Sequence, residues 1–194
     1  FENFFIRILR GSGLKGLISL DKKVQIDNIN IIRPLLNQKK EDLIFISESV
    51  FNFSVKDPSN KNPDFKRTKI RNFIEQLKLN GLDESKFSNT LENLKYSNSV
   101  IEFYVNKNLI KNSFFFKNEN YTILNHEFFE QPYEVVFRSL SHILKNVGRR
   151  YYAARGKKID KIISQIKSKR QLKVTLGGCV IERVNQTVII SKEY

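Results

Sequence analysis

Apolar and polar positions alternate along the chain with two distinct periods. Residues 1–10 carry Phe4, Phe5, Ile8 and Leu9 at helical spacing, and Gly11 follows as a stop, which predicts an opening helix. The stretch Gly11-Ser12-Gly13-Leu14-Lys15-Gly16-Leu17 is a glycine-punctuated loop. Residues 24–32 read as a strand that ends at Pro34, and a helix is expected from about Lys39 to Phe51 with Leu43, Ile44 and Ser47 inward. A short strand over 53–55 leads into Asp57-Pro58-Ser59-Asn60, a turn signal. Asn62 is the expected N-cap of the next helix, with Pro63 at its first position and Asp64 favourable to its dipole. That helix is expected to run to about Asn80 and to end at Gly81.

Beyond residue 80 the alternation of strand and helix fades, and a domain boundary is placed there, giving parts 1–80 and 81–194. A long helix is predicted over roughly 84–110, then a hairpin of Phe114–Phe116 with Tyr121–Leu124. Helices near 132–146 and 156–168 come next. Three closing strands are expected at 172–176, 179–184 and 187–191, joined by Gly177-Gly178 and Asn185-Gln186. The pattern is α/β at the front. The rear is α+β, mainly helical, and ends in a small antiparallel sheet.

Composition narrows the classes. The 194 residues are 40% apolar and 28% charged, with no run near the length a membrane span needs. One cysteine, Cys179, excludes an internal disulfide or a multi-cysteine metal site within this sequence. Two histidines, His126 and His142, leave little scope for histidine-based zinc or triad chemistry. A reducing, cytoplasmic compartment is expected. The sequence contains no methionine, so its natural start is expected to lie upstream. Abundant Lys, Asn and Ile beside only two alanines suggests AT-rich coding.

Coding bias does not explain where the charge sits. Residues 1–137 hold 20 basic and 17 acidic side chains, whereas residues 138–173 hold 12 basic side chains and one acid, Asp160. Five of those twelve are arginines, Arg138, Arg149, Arg150, Arg155 and Arg170. A clustered basic surface gains affinity for a polyanion by releasing its counterions, so nucleic-acid contact ranks ahead of a merely solvated face. Tyr151 and Tyr152 lie within the cluster and could stack on bases or simply pack.

Other candidate chemistry is sparser. The glycine loop follows a helix instead of a strand, so it is neither a P-loop nor a dinucleotide fingerprint. Its amides could still approach a phosphate beside Arg10 and Lys15, although a flexible turn is the commoner origin of such a pattern. Arg67 and Arg71 share a helix face bordering Ile70, Phe73, Ile74 and Leu77. They suit phosphate recognition and equally suit pairing with an acid such as Asp57. Asp57 and Asp64 could bind magnesium but are more commonly turn and cap residues. Cys179 reads as a buried structural thiol, and both histidines as structural.

Four stretches carry a resemblance. Residues 2–17, with Arg10-Gly11-Ser12-Gly13 and Gly16-Leu17, resemble an R-G-S-G-x-x-G-L segment. Ile31-Ile32-Arg33-Pro34-Leu35-Leu36 with Lys40-Glu41-Asp42-Leu43 is a second match. Asp57-Pro58-Ser59-Asn60 with Phe65, Arg67, Ile70 and Arg71 is the third, and Thr175-Leu176-Gly177-Gly178-Cys179-Val180-Ile181 the fourth. Together they resemble the tRNA(Ile)-lysidine synthases of the PP-loop (N-type ATP pyrophosphatase) superfamily, strongly over 1–78 and more weakly over 132–194. Asn3 stands where threonine is usual, and Thr68 where asparagine is usual.

The resemblance implies that residues 1–80 are the later part of a Rossmann-like PP-loop domain. It also implies that 81–194 form a tRNA-binding domain. The implied activity is a two-step ligation on the wobble cytidine of tRNA(Ile) with a CAU anticodon. ATP, with Mg2+, adenylates the oxygen on carbon 2 and releases pyrophosphate; the side-chain amine of free lysine then attacks that carbon and expels AMP. The product reads AUA. By the same resemblance Arg10 would be catalytic, and Gly11, Ser12, Gly13 and Arg33 would line the ATP and lysine pocket. Arg67, Arg71, Arg149, Arg150, Arg155, Lys157 and Lys158 would contact tRNA. The family's S-G-G-x-D-S phosphate loop is expected upstream, so these residues alone are expected to be inactive. A homodimer is possible. The rivals are a non-catalytic basic RNA-binding protein and a PP-loop tRNA thiolase; the thiolase ranks lower because no C-x-x-C occurs.

Overall fold

The computed structural model describes residues 1–18, 23–26, 29–55, 65–116, 120–168 and 171–193. The expected turn at 57–60 and the Asn62 cap lie outside the described residues. The chain divides into two compact units, Phe1–Asn98 and Ser99–Tyr194.

The first unit holds helices α1 (Glu2–Ile8), α2 (Leu14–Leu17), α3 (Lys40–Phe51) and α4 (Lys66–Leu79), and the start of α5 (Glu84–Asn112). Strands β1 (Lys23–Ile26) and β2 (Ile29–Ile32) form an antiparallel pair with Ile26 opposite Ile29. One strand was expected here. The intervening Asp27-Asn28 in the sequence is a turn-forming pair, and a two-residue connection is enough to reverse a chain. The core of this unit is Ile6, Ile70 and Ile74, with Phe1 and Phe5 packed against it. The inward face of α1 therefore differs from the expected one: Ile8 and Leu9 are 46% and 64% exposed. The α3 helix forms as expected but buries nothing, and Ile44 lies exposed instead of inward. Asp83 starts α5 by accepting from the Ser85 amide at 2.8 Å, which holds its carboxyl below the usual range. Gly81 ends α4 as expected, with positive φ and with Leu82 N donating to Leu77 O.

The second unit is built on a five-stranded antiparallel sheet. Its strands are β3 (Ser113–Phe116), β4 (Tyr121–Leu124), β5 (Lys173–Leu176), β6 (Cys179–Val184) and β7 (Thr187–Lys192), in spatial order β3-β4-β7-β6-β5. The hairpin and the three closing strands were each expected. Pairing of β4 with β7, Thr122 opposite Ile190, joins them into one sheet. Helices α6 (Tyr133–Val147) and α7 (Gly156–Lys167) supply the rest of the core. Val136, Leu140 and Leu144 of α6 and Ile159 and Ile163 of α7 cluster with Leu124, Ile181 and Ile190 of the sheet, all nearly inaccessible. Removing one such side chain costs about 2–5 kcal/mol. A polar chain runs through the same unit. Asn112 donates to Asn108 Oδ1 at 2.8 Å, Asn108 donates to Ser139 Oγ at 3.3 Å, and Asn125 donates to Asn112 Oδ1 at 3.2 Å.

One member of the basic segment belongs to this interior. Arg138 is only 7% exposed and pairs with Glu102 at 3.0 Å and Glu134 at 2.7 Å. Its two acids are more exposed than it is, so they can rehydrate if the arginine is replaced. The reverse is not true, because a buried guanidinium without its carboxylates costs about 3–5 kcal/mol. Arg138→Met should therefore lower the unfolding free energy less than the double change Glu102→Gln with Glu134→Gln. Equilibrium urea denaturation of the three proteins measures the ordering.

Candidate functional site

The glycine loop is a closed structure. Gly11 takes a left-handed φ of +68°, its amide donates to Ile8 O at 2.9 Å, and the Ser12 amide donates to Arg7 O at 3.0 Å. This is a Schellman closure of α1, and only glycine adopts that φ at no cost. The Arg7 guanidinium donates to Gly16 O, and a Cβ at Gly16 would sit 2.9 Å from Ser12 Cβ. Arg10 is exposed on the rim of this loop, Ser12 is half-buried and Gly13 begins α2 in extended conformation. The amides of Gly11 and Ser12 are thus committed to the helix end and do not fit a triphosphate cradle. What the loop can offer an anion is the Arg10 guanidinium and the Ser12 hydroxyl.

Arg33 is half-buried where β2 gives way to a 3-10 turn over Pro34–Asn37. Arg67 is exposed in the first turn of α4. Arg71, one turn on, is held by Glu2 of α1, with Nε 2.5 Å from Oε1 and Nη2 3.4 Å from Oε2. That hydrogen bond raises the guanidinium's pKa and ties α1 to α4. Glu2 was not the acid considered from sequence; Asp57, the one that was, lies outside the described residues, as does Asp64. Sequence reasoning also missed a cleft of about 930 Å³ in this unit, with Asn3, Phe4, Arg7, Lys39, Lys40 and Phe87 among its walls. Neither Arg10–Gly13 nor Arg33 lines it. The signal was Arg7 lying three and four residues after Phe4 and Asn3, which puts it beside both on α1.

The second unit gathers the basic segment. The α6 backbone at Gly148 has no room for a side chain: a Cβ there would lie 2.0 Å from Gly177 O and 2.9 Å from Leu144 O. The helix therefore closes one residue later. Arg149 takes φ +48°, its amide donates to Asn146 O and the Arg150 amide donates to Lys145 O. Among the described residues the other non-glycine positions with positive φ are Asn52, Asn120 and Asn185. Asparagine tolerates that region, whereas an arginine there costs roughly 1–2 kcal/mol. The Arg149 guanidinium donates to Asn120 Oδ1 at 3.4 Å. The Arg150 guanidinium lies over Gly178, where a Cβ would come within 2.9 Å of Nε.

Tyr151 and Tyr152 come next, 65% and 80% exposed and set edge to face with ring centroids 4.8 Å apart. Then α7 begins. Its buried residues Ile159, Ile162, Ile163 and Ile166 define one face, and at about 100° per residue Lys157, Lys161 and Ser164 lie on the opposite one. Eight cations of this segment are exposed among the described residues: Arg149, Arg150, Arg155, Lys157, Lys158, Lys161, Lys167 and Lys173. Lys169 and Arg170 lie outside the described residues, and Lys173 pairs with Glu182 at 3.4 Å. The segment's one acid, Asp160, accepts from the Tyr133 hydroxyl, which pushes the phenol up to about 12. His126 pairs with Glu130 at the surface.

Residues 1–78 match the family model of the PP-loop domain, so the front of the chain carries that domain. The whole chain resembles tRNA(Ile)-lysidine synthases. It is 29% identical to that of Orientia tsutsugamushi (strain Boryong) over all of the chain and 45% of the relative. It is 25% identical to that of Wolbachia pipientis wMel over 99% of the chain and 45% of the relative, and 28% identical to that of Rickettsia akari (strain Hartford) over all of the chain and 44% of the relative. The chain thus spans less than half the length of these curated relatives. No helix among the described residues is long and apolar enough to cross a membrane.

Cys179 is inaccessible, as expected, with Sγ 3.4 Å from Leu144 O. Burial pushes its thiol up to about 11. At pH 8 the folded chain should resist iodoacetamide and react only on unfolding, as mass spectrometry of quenched time points will read.

Proposed function

We propose that these residues work as part of a tRNA(Ile)-lysidine synthase, which joins free lysine to carbon 2 of the wobble cytidine of tRNA(Ile) bearing CAU. The observation that carries this reading is the run of exposed cations from Arg149 to Lys167 in a chain similar from end to end to such enzymes. Residues 1–78 are, in this reading, the later part of a Rossmann-like PP-loop domain, and the basic face grips tRNA. The work is cytoplasmic.

The chemistry divides accordingly. ATP, with Mg2+, supplies the adenylyl group that activates the base. Its phosphates are assigned to an S-G-G-x-D-S loop, a stretch that the 194 residues do not contain. Among the described residues no three His, Cys, Asp or Glu side chains converge as metal ligands. Arg10 contributes positive charge from the rim of the glycine loop, near the developing pyrophosphate charge, where preorganised donors count most. Arg33 braces the same edge, and Arg67 offers a guanidinium to RNA. Arg71, paired with Glu2, acts by fixing α1 on α4, and so sets the angle at which the Arg10 loop is presented. A thiolase reading finds no support in Cys179, which is buried under α6.

Two measurements test the proposal. Filter binding of a tRNA(Ile) transcript across a NaCl series should give a linear log–log fall in affinity. Arg149→Ala with Arg150→Ala should make that slope shallower by roughly 1.5, the loss of two phosphate contacts. In a polypeptide that joins these residues to the S-G-G-x-D-S loop, Arg10→Ala should cut incorporation of radiolabelled lysine about 100-fold. Its affinity for tRNA should stay unchanged.

A further inference from the structure

Resting on the RNA reading above, we infer that the segment between α6 and α7 is a stacking platform for unpaired nucleotides, with Tyr151 and Tyr152 taking the bases and Arg149 and Arg150 the flanking phosphates. Three observations carry it. First, both rings are solvent-exposed and meet each other edge to face, so neither is used to fill a core. A base needs an open π-face, and two exposed tyrosines in succession present one each.

Second, two exposed guanidiniums adjoin them in the chain: Arg149, which donates to Asn120 Oδ1 at 3.4 Å, and Arg150, which lies across Gly178. Third, Arg149 occupies a backbone position that glycine or asparagine would fill with less strain. A strained residue persists where something other than stability holds it, and here the guanidinium is what a glycine would lack.

Duplex RNA offers this segment only phosphates and 2′-hydroxyls, because its bases are stacked inside. An unpaired stretch offers both phosphates and free base faces. The charge spacing alone would serve either form; the tyrosines favour the unpaired one.

The experiment uses the full 194-residue chain and two fluorescein-labelled RNAs with the same number of phosphates, an unstructured oligouridylate and a blunt duplex. Fluorescence anisotropy at fixed salt gives affinities, and thermal melts followed by circular dichroism give stability. The single strand should bind more tightly. Tyr151→Ala with Tyr152→Ala should weaken it about tenfold and leave the duplex unchanged, while Tyr151→Phe with Tyr152→Phe should restore it, since phenylalanine keeps the ring. Arg149→Gly should melt at a higher temperature and yet bind both RNAs several-fold more weakly. Equal binding of the two RNAs, with no effect of removing the rings, overturns the platform and leaves the RNA reading standing. An unchanged affinity in Arg149→Gly overturns the role given to its strain. If neither RNA binds, the RNA reading itself falls and the platform with it.

Discussion

Where α6 ends, its backbone at Gly148 passes so close to the Gly177–Gly178 turn that Gly148 has no room for a side chain. Much of the second unit's geometry depends on that approach. It lets α6 lie flat enough for Leu140 and Leu144 to reach the sheet, and it brings Cys179 against the carbonyl of Leu144. It also denies the helix its usual glycine terminus. The left-handed residue is displaced by one position onto Arg149, and the chain leaves the helix as Arg149, Arg150, Tyr151, Tyr152 with its direction fixed. The Thr-Leu-Gly-Gly-Cys stretch thus has a physical meaning. Its two glycines form the floor under a helix end and a guanidinium, and the cysteine after them is core.

Local pattern was enough for features whose cause is local. Gly81 closing α4, the hairpin of β3 with β4, and the isoleucine face of α7 each depend on residues within a few positions of one another. Pairing of β4 with β7 does not, and nothing in either strand names its partner. The antiparallel β1 and β2 were read as one strand because apolar positions continue on both sides of Asp27-Asn28 in the sequence. The inward side of α1 was misplaced for a related reason. Its apolar residues surround much of the helix, and only the position of Ile70 and Ile74 on α4 decides which of them is core.

Charge counting has its own limit, and Arg138 shows it. A tally of residues 138–173 treats every cation as surface, but this one is the buried hub of two ion pairs. The visible signal was Glu134 four residues earlier on the same helix, the spacing that lets an acid meet an arginine. Arg71 carries the same lesson in the first unit, where its acid, Glu2, comes from the far end of the sequence. Neither guanidinium is free to serve as a phosphate ligand without giving up a carboxylate. The cations that remain exposed run from Arg149 and Arg150, just past α6, through Arg155 to the lysines of α7, with Lys173 on β5 beyond them.

The two units also differ in how they are held together. Among the described residues the second unit has one core cluster of seventeen, spanning two helices and a sheet, and the first has a cluster of three. Burial of apolar area is the main favourable term in folding. Arg149 sits in the unit with the larger described core. The glycine loop belongs to the first unit, and its geometry rests on hydrogen bonds that close a single turn of α1 together with the grip of Arg7 on Gly16. In the proposed function, RNA binding would rest on groups beside the larger described core and the placing of Arg10 on a turn closed by glycine, and these are different physical problems.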